Sequence, residues 1–111
     1  MATEKDNALV QFLINGTDNG KIRWEPTARQ GQFTTSFKGT YNVTVQKGFS
    51  AGEYEYLLRL SDAENEILQV SDNEIGDLVT LFKKAQRTAF SVDSAIDEIM
   101  GEGEKKDDIP F

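Results

Sequence analysis

Two groups of residues in this 111-residue chain combine types that could do chemistry. The first is basic and aromatic: Lys21, Arg23, Trp24, Phe37 and Lys38 lie on or beside stretches that alternate like strands. Cations that follow phosphates and flat rings that stack on bases are what a single-strand nucleic-acid binder needs. Lys47, Arg59, Phe33, Tyr41, Tyr54 and Tyr56 add charge and rings along further strands. Most of these rings alternate with Val and Leu and read as core, whereas Trp24 and Phe37, on short polar stretches, are the rings expected to be exposed. The second group is Asp107, Asp108, Ile109, Pro110 and Phe111. An aromatic anchor beside a carboxylate gives a short peptide one deep apolar contact and one strong charge contact. Pro110 lowers the ordering cost by fixing a backbone dihedral.

Other chemistries lack their residues. The chain has no cysteine and no histidine, which excludes disulfides, thiol catalysis, imidazole acid–base work and the usual zinc sites. Gly16 to Lys21 resembles a phosphate-binding loop only loosely: three residues instead of four separate its glycines, and Ile22 stands where Ser or Thr is required. The carboxylate pairs Asp62 with Glu64 and Asp93 with Asp97 fall in a turn and on a solvated helix face, where nothing would shift a pKa for catalysis. No enzyme site, metal or cofactor is expected.

Charge is polarised along the chain. The net charge is −7, yet residues 1–50 hold six Lys and Arg against four Asp and Glu, and residues 51–100 hold four against eleven. Such an acidic total argues against a general duplex-DNA binder, because Lys and Arg supply most non-specific affinity, but it leaves room for a local basic face. The apolar runs are far shorter than the roughly 18 residues that span a bilayer, and no basic-then-apolar leader opens the sequence. A cytoplasmic protein without membrane contact is the expectation.

The elements that must position these groups follow from periodicity. Thr3 followed by Asp6 reads as a capped helix start, with Leu9, Phe12 and Leu13 on one face and Asn15 and Gly16 as its stop. Residues 21–24 alternate as a first short strand ended by Pro26, and residues 33–38 and 41–47 pair across a Gly39-Thr40 loop. Residues 48–52 read as a loop with Gly at each end, followed by strands over 54–60 and 66–70. Ser71 and Glu74 read as a capping box for a helix with Ile75, Leu78, Val79, Phe82, Ala85 and Ala89 on its buried face. Val92, Ala95, Ile96, Ile99 and Met100 repeat the helical spacing. The fold class is therefore α+β: an N-terminal helix, a four- or five-stranded antiparallel meander and two C-terminal helices. Residues 1–100 make one domain, and 101–111 a flexible acidic linker and tail.

Asp107, Asp108, Ile109, Pro110 and Phe111 resemble the C-terminal tip of bacterial single-stranded-DNA-binding protein (SSB). In that family the tip recruits replication and repair proteins: the terminal Phe enters an apolar pocket, its carboxylate meets a basic residue, and the acids meet a basic rim. Lys105 and Lys106 interrupt the acidic run here, and the linker is shorter than is typical of the family. The body lacks the order of the SSB oligonucleotide-binding barrel, whose helix falls between its third and fourth strands. In element order it is more similar to the Whirly and PC-type coactivator single-strand binders. The resemblance implies a small single-stranded-DNA-binding protein whose tip recruits SSB-tail-binding replication and repair proteins. The alternative is an adaptor or decoy that binds no DNA and competes with SSB for those partners. A homodimer is compatible with either.

Overall fold

The computed structural model describes the backbone of residues 2–108 and the side chains of 2–49 and 51–101. Helix α1 (Glu4–Asp18) precedes five strands, β1 (Glu25–Pro26), β2 (Gln32–Phe37), β3 (Tyr41–Ser50), β4 (Glu53–Ser61) and β5 (Glu66–Ser71). Helices α2 (Leu78–Ala89) and α3 (Val92–Asp108) follow. The strands form one antiparallel sheet in the order β1-β2-β3-β4-β5, so each is hydrogen-bonded to its neighbour in sequence. This is the α+β arrangement that the sequence implies.

The start of α1 is capped as expected. The Asp6 backbone N–H donates to the Thr3 hydroxyl at 3.2 Å, and the Thr3 N–H donates to the Asp6 carboxylate at 2.9 Å. Its end is not where the sequence places it. Gly16 stays inside the helix because Ile22 packs directly on it: a Cβ there would lie 2.4 Å from Ile22 Cδ1. The stop is Gly20, at φ +77°, with the Gly20 N–H donating to Thr17 O and the Lys21 N–H to Gly16 O. This is the paired bonding that closes a helix through a left-handed residue.

Residues 21–24 are not a strand. They run back over the last turn of α1, and β1 begins only at Glu25. Pro26 sits within β1, which an edge strand tolerates because no ladder bond is needed on its outer side. Two sharp hairpins follow. Lys38 and Gly39 both take positive φ in the β2–β3 turn, which pairs Phe37 with Tyr41. Ala51 and Gly52 do so between β3 and β4, pairing Ser50 with Glu53. The loop expected over residues 48–52 is thus the end of a long hairpin. Backbone twist favours such turns, since positive φ at both central residues matches the twist of the flanking strands.

One face of the sheet is covered by α1 and α2. Val43 and Val45 of β3, Phe33 of β2, Leu58 of β4 and Val70 of β5 meet Val10 and Leu13 of α1 and Leu78, Leu81 and Phe82 of α2 in one buried cluster. The other face carries Thr34, Thr44, Asn42, Arg59 and Gln69, cross-linked by bonds such as Ser36 to Asn42 at 2.7 Å. Helix α2 starts later than the Ser71–Glu74 pattern suggests. The Ser71 N–H does donate to the Glu74 carboxylate, but residues 72–77 turn first and Asp77 is the N-cap. Helix α3 runs through Gly101 to Asp108, where the sequence reading begins a linker. Ile109, Pro110 and Phe111 lie outside the described residues, as do the side chains of Asp107 and Asp108.

Candidate functional site: an aromatic and basic cleft

The β3–β4 hairpin outreaches the helix layer. Ten residues of β3 span about 33 Å at strand rise, whereas twelve residues of α2 span about 18 Å. The core-facing positions at the far end of the hairpin therefore run out from under α2: Lys47 and Phe49 on β3 and, opposite Phe49, Tyr54 on β4, whereas Tyr56, opposite Lys47, still packs on Phe82 of α2 with ring centroids 5.3 Å apart. Phe49 is 66% and Tyr54 63% exposed, and their rings meet edge to face with centroids 5.2 Å apart. The Lys47 ammonium stands over the Tyr54 ring, 4.3 Å from its centroid.

A second wall comes from residues 27–31, the loop between β1 and β2. The Lys47 N–H donates to Gly31 O at 2.9 Å, tying the loop to β3, and Gly31 takes φ +75° to make that approach. The Thr27 hydroxyl accepts the Arg29 N–H at 3.1 Å, which holds the loop in a tight turn and leaves Arg29 at the surface. The end of α2 closes the third side with Phe82, Gln86 and the exposed Phe90. Phe90 stands edge-on to Phe33, with centroids 5.3 Å apart. The cleft so enclosed has a volume of about 650 Å³.

Among the described residues, two cations and no carboxylate line this cleft, on a chain whose net charge is −7. Elsewhere Lys84 bonds Asp18 at 2.7 Å, Arg87 bonds Asp93, and Arg59 lies 3.5 Å from Glu66, while Lys5, Lys21, Arg23, Lys38 and Lys83 have no ion-pair partner among the described residues. Among the described residues neither Arg29 nor Lys47 has an ion-pair partner. Exposed rings beside unneutralised cations can stack bases while the cations meet phosphates.

The residues singled out from sequence fare differently. Trp24 is only 2% exposed, which overturns the expectation of an open ring. Its indole N–H donates to the Thr17 hydroxyl at 2.9 Å, and that hydroxyl donates to Leu13 O at 2.7 Å, so Trp24 fastens residues 21–24 to α1. Phe37 is half-buried on the helix side of the sheet and tilts against Phe12 at 6.3 Å, so it too is mainly a packing residue. Lys21 and Arg23 are exposed on the segment after α1, with Arg23 beside Arg87 and Asp93 in a polar depression. Lys38 is exposed in the β2–β3 turn. None of these five lines the cleft.

Phe49, Phe90 and Arg29 escaped sequence reasoning. The signal for Phe49 was present: Tyr41, Val43, Val45, Lys47 and Phe49 keep a period of two without a break. Among the described residues no acidic cluster is placed to hold a metal ion, and no helix is long and apolar enough to cross a membrane. No protein-family model, no curated protein and no solved structure matches this chain.

Proposed function

We propose that this chain is a small single-stranded-DNA-binding protein. It holds DNA in the cleft between the β3–β4 hairpin, the β1–β2 loop and the end of α2, and it recruits replication and repair proteins through its SSB-like tip, Asp107 to Phe111. The observation that carries the DNA half is Lys47 poised over the open Tyr54 ring, with Phe49 beside it and, among the described residues, no carboxylate in the cleft lining. A strand laid there meets rings for its bases and two cations for its phosphates, the combination that binds single strands with little sequence preference. On this reading the nucleic-acid contacts belong to Arg29, Lys47, Phe49, Tyr54 and Phe90, and the protein works in the cytoplasm with its partners.

The test is fluorescence anisotropy with labelled oligo-dT at low salt, comparing the unaltered chain with Lys47→Gln and Tyr54→Ala. Binding that falls with salt and weakens in both variants is expected. Absence of binding by the unaltered chain would remove DNA from the reading. The −7 charge would then favour the adaptor, a body that binds no DNA and carries a tip competing with SSB.

A further inference from the structure

We propose that two copies of this chain form a closed dimer by exchanging α3, each copy seating the apolar stripe of its α3 in a groove between α1 and the sheet of the other. Ile96, Ile99 and Met100 share one side of α3 by their three- and four-residue spacing. Ile99 is 70% and Met100 60% exposed. Among the described residues, α2 is the only element on which α3 packs more than marginally. The radius of gyration is 17.0 Å, against about 13 Å for a compact domain of this length, as a projecting helix requires. A lone helix of this length is marginal in water, and Gly101 and Gly103 weaken it further. Packing on a partner supplies what is missing.

The same chain offers a receptor of the opposite shape. Leu9 and Phe12 of α1, Phe37 of β2, Tyr41 and Val43 of β3 and Leu60 of β4 line an open groove of about 230 Å³ with no polar surface. Phe12 and Tyr41 are exposed at its mouth. Lys5, one helical turn before Leu9, and Lys38, next to Phe37, flank it, and among the described residues neither has an ion-pair partner. Asp97 borders the stripe on α3, one helical turn before Met100, and is likewise unpaired among the described residues. Acid on the ridge and base at the groove favour ridge-in-groove exchange. Pairing α3 with α3 would set acids against acids. Because each copy gives a ridge and receives one, the contact closes with two-fold symmetry and does not propagate.

Sedimentation equilibrium of the full chain over a concentration series tests this. The expected mass rises from 12.4 kDa toward about twice that value. Phe12→Asp and Ile99→Asp should each hold the chain at the monomer mass; their circular dichroism melts should match that of the unaltered chain diluted to where it is monomeric, and should not rise with concentration as the dimer's does. The chain has no cysteine, so cross-linking can fix the geometry. Oxidising a mixture of the Tyr41→Cys and Ile99→Cys variants should give chiefly the mixed disulfide. A monomer at every concentration, a dimer that survives Phe12→Asp, or a disulfide chiefly between two Ile99→Cys chains would each overturn the exchange.

Discussion

The Lys47 ammonium lies 4.3 Å from the centroid of Tyr54 and 5.9 Å from that of Tyr56, so two rings of β4 hold a cation that has no ion-pair partner among the described residues. Ring faces stabilise a cation without cancelling its charge, unlike the Asp18 carboxylate bonded to Lys84. Lys47 therefore keeps its attraction for an anion arriving in the cleft.

Tyr54→Ala should lower oligo-dT affinity about tenfold, since stacking one base on a ring contributes about 1–3 kcal/mol. Lys47→Gln should act through salt instead. Removing one phosphate contact to a single strand lessens the slope of log K against log salt by about 0.7. Anisotropy titrations across a salt series read both effects. An unchanged slope would show that Lys47 meets no phosphate.

Trp24 should report on folding and not on DNA. Its indole N–H is satisfied by the buried Thr17 hydroxyl, so Thr17→Val leaves a buried donor without an acceptor and should cost about 1–3 kcal/mol in urea unfolding. Trp24 is the only tryptophan, so its emission is assignable. It should resist acrylamide quenching and stay constant when oligo-dT binds. Quenching by oligo-dT would show the ring meeting DNA.

Gly16→Ala should destabilise the fold by about 1–3 kcal/mol, the usual cost of forcing an extra carbon into a packed contact. The obstacle is the Ile22 side chain, so Ile22→Ala in the same chain should return much of the loss relative to Ile22→Ala alone. A thermal-unfolding double-mutant cycle measures this coupling. Strict additivity would mean that Ile22 does not set the need for glycine.

The contrast between Gly16 and Gly20 shows how far the sequence could be read. Both follow Asn within one turn of sequence, and either could end a helix by the left-handed conformation. What decides between them is the approach of Ile22, a contact that exists only once the chain has folded back. Trp24 misled for the same reason: a short alternating stretch looks like a strand, but its alternation serves docking on Thr17. The meander and the helices were legible because each repeats a period over several residues, as Val43, Val45 and Leu58 do. The cleft was not, because it depends on β3 outreaching α2, a difference in length between elements distant in sequence. The exposure of Ile96, Ile99 and Met100 was hidden too, since helical spacing names a face without naming what covers it.

Asp62 should titrate below the ordinary aspartate value of about 3.9. The Asn65 N–H at 2.7 Å, and then the Glu64 N–H at 2.9 Å, donate to its carboxylate and favour the charged form. A folded-state pKa lower than the unfolded one stabilises the β4–β5 turn above the unfolded value. That contribution is lost as pH falls through the folded value, so the turn should hold at neutral pH and loosen only in acid. Carboxyl and amide chemical shifts of Asp62, Glu64 and Asn65 followed from pH 6 to pH 2 would give the midpoint. One at or above the ordinary value would contradict the hydrogen-bonding account.

Deleting Phe111 should abolish recognition of this chain by a protein that binds SSB tips, and should leave the folded body as it was. The resemblance gives Phe111 the anchor role, and loss of a buried aromatic anchor commonly costs roughly 2 kcal/mol or more, about thirtyfold in affinity. Asp107 and Asp108 contribute through charge alone, so replacing both by Asn should weaken binding less and make it less sensitive to salt. Calorimetric titration of an SSB-tip receptor with the three chains separates anchor from charge. Oligo-dT binding provides the internal control, because the cleft residues Lys47, Tyr54 and Phe90 belong to the body and not to the tip. A Phe111 deletion that bound the receptor as tightly as the unaltered chain would leave the SSB-like ending without a function. One that lost both receptor and oligo-dT would mean that tip and cleft act as a single site.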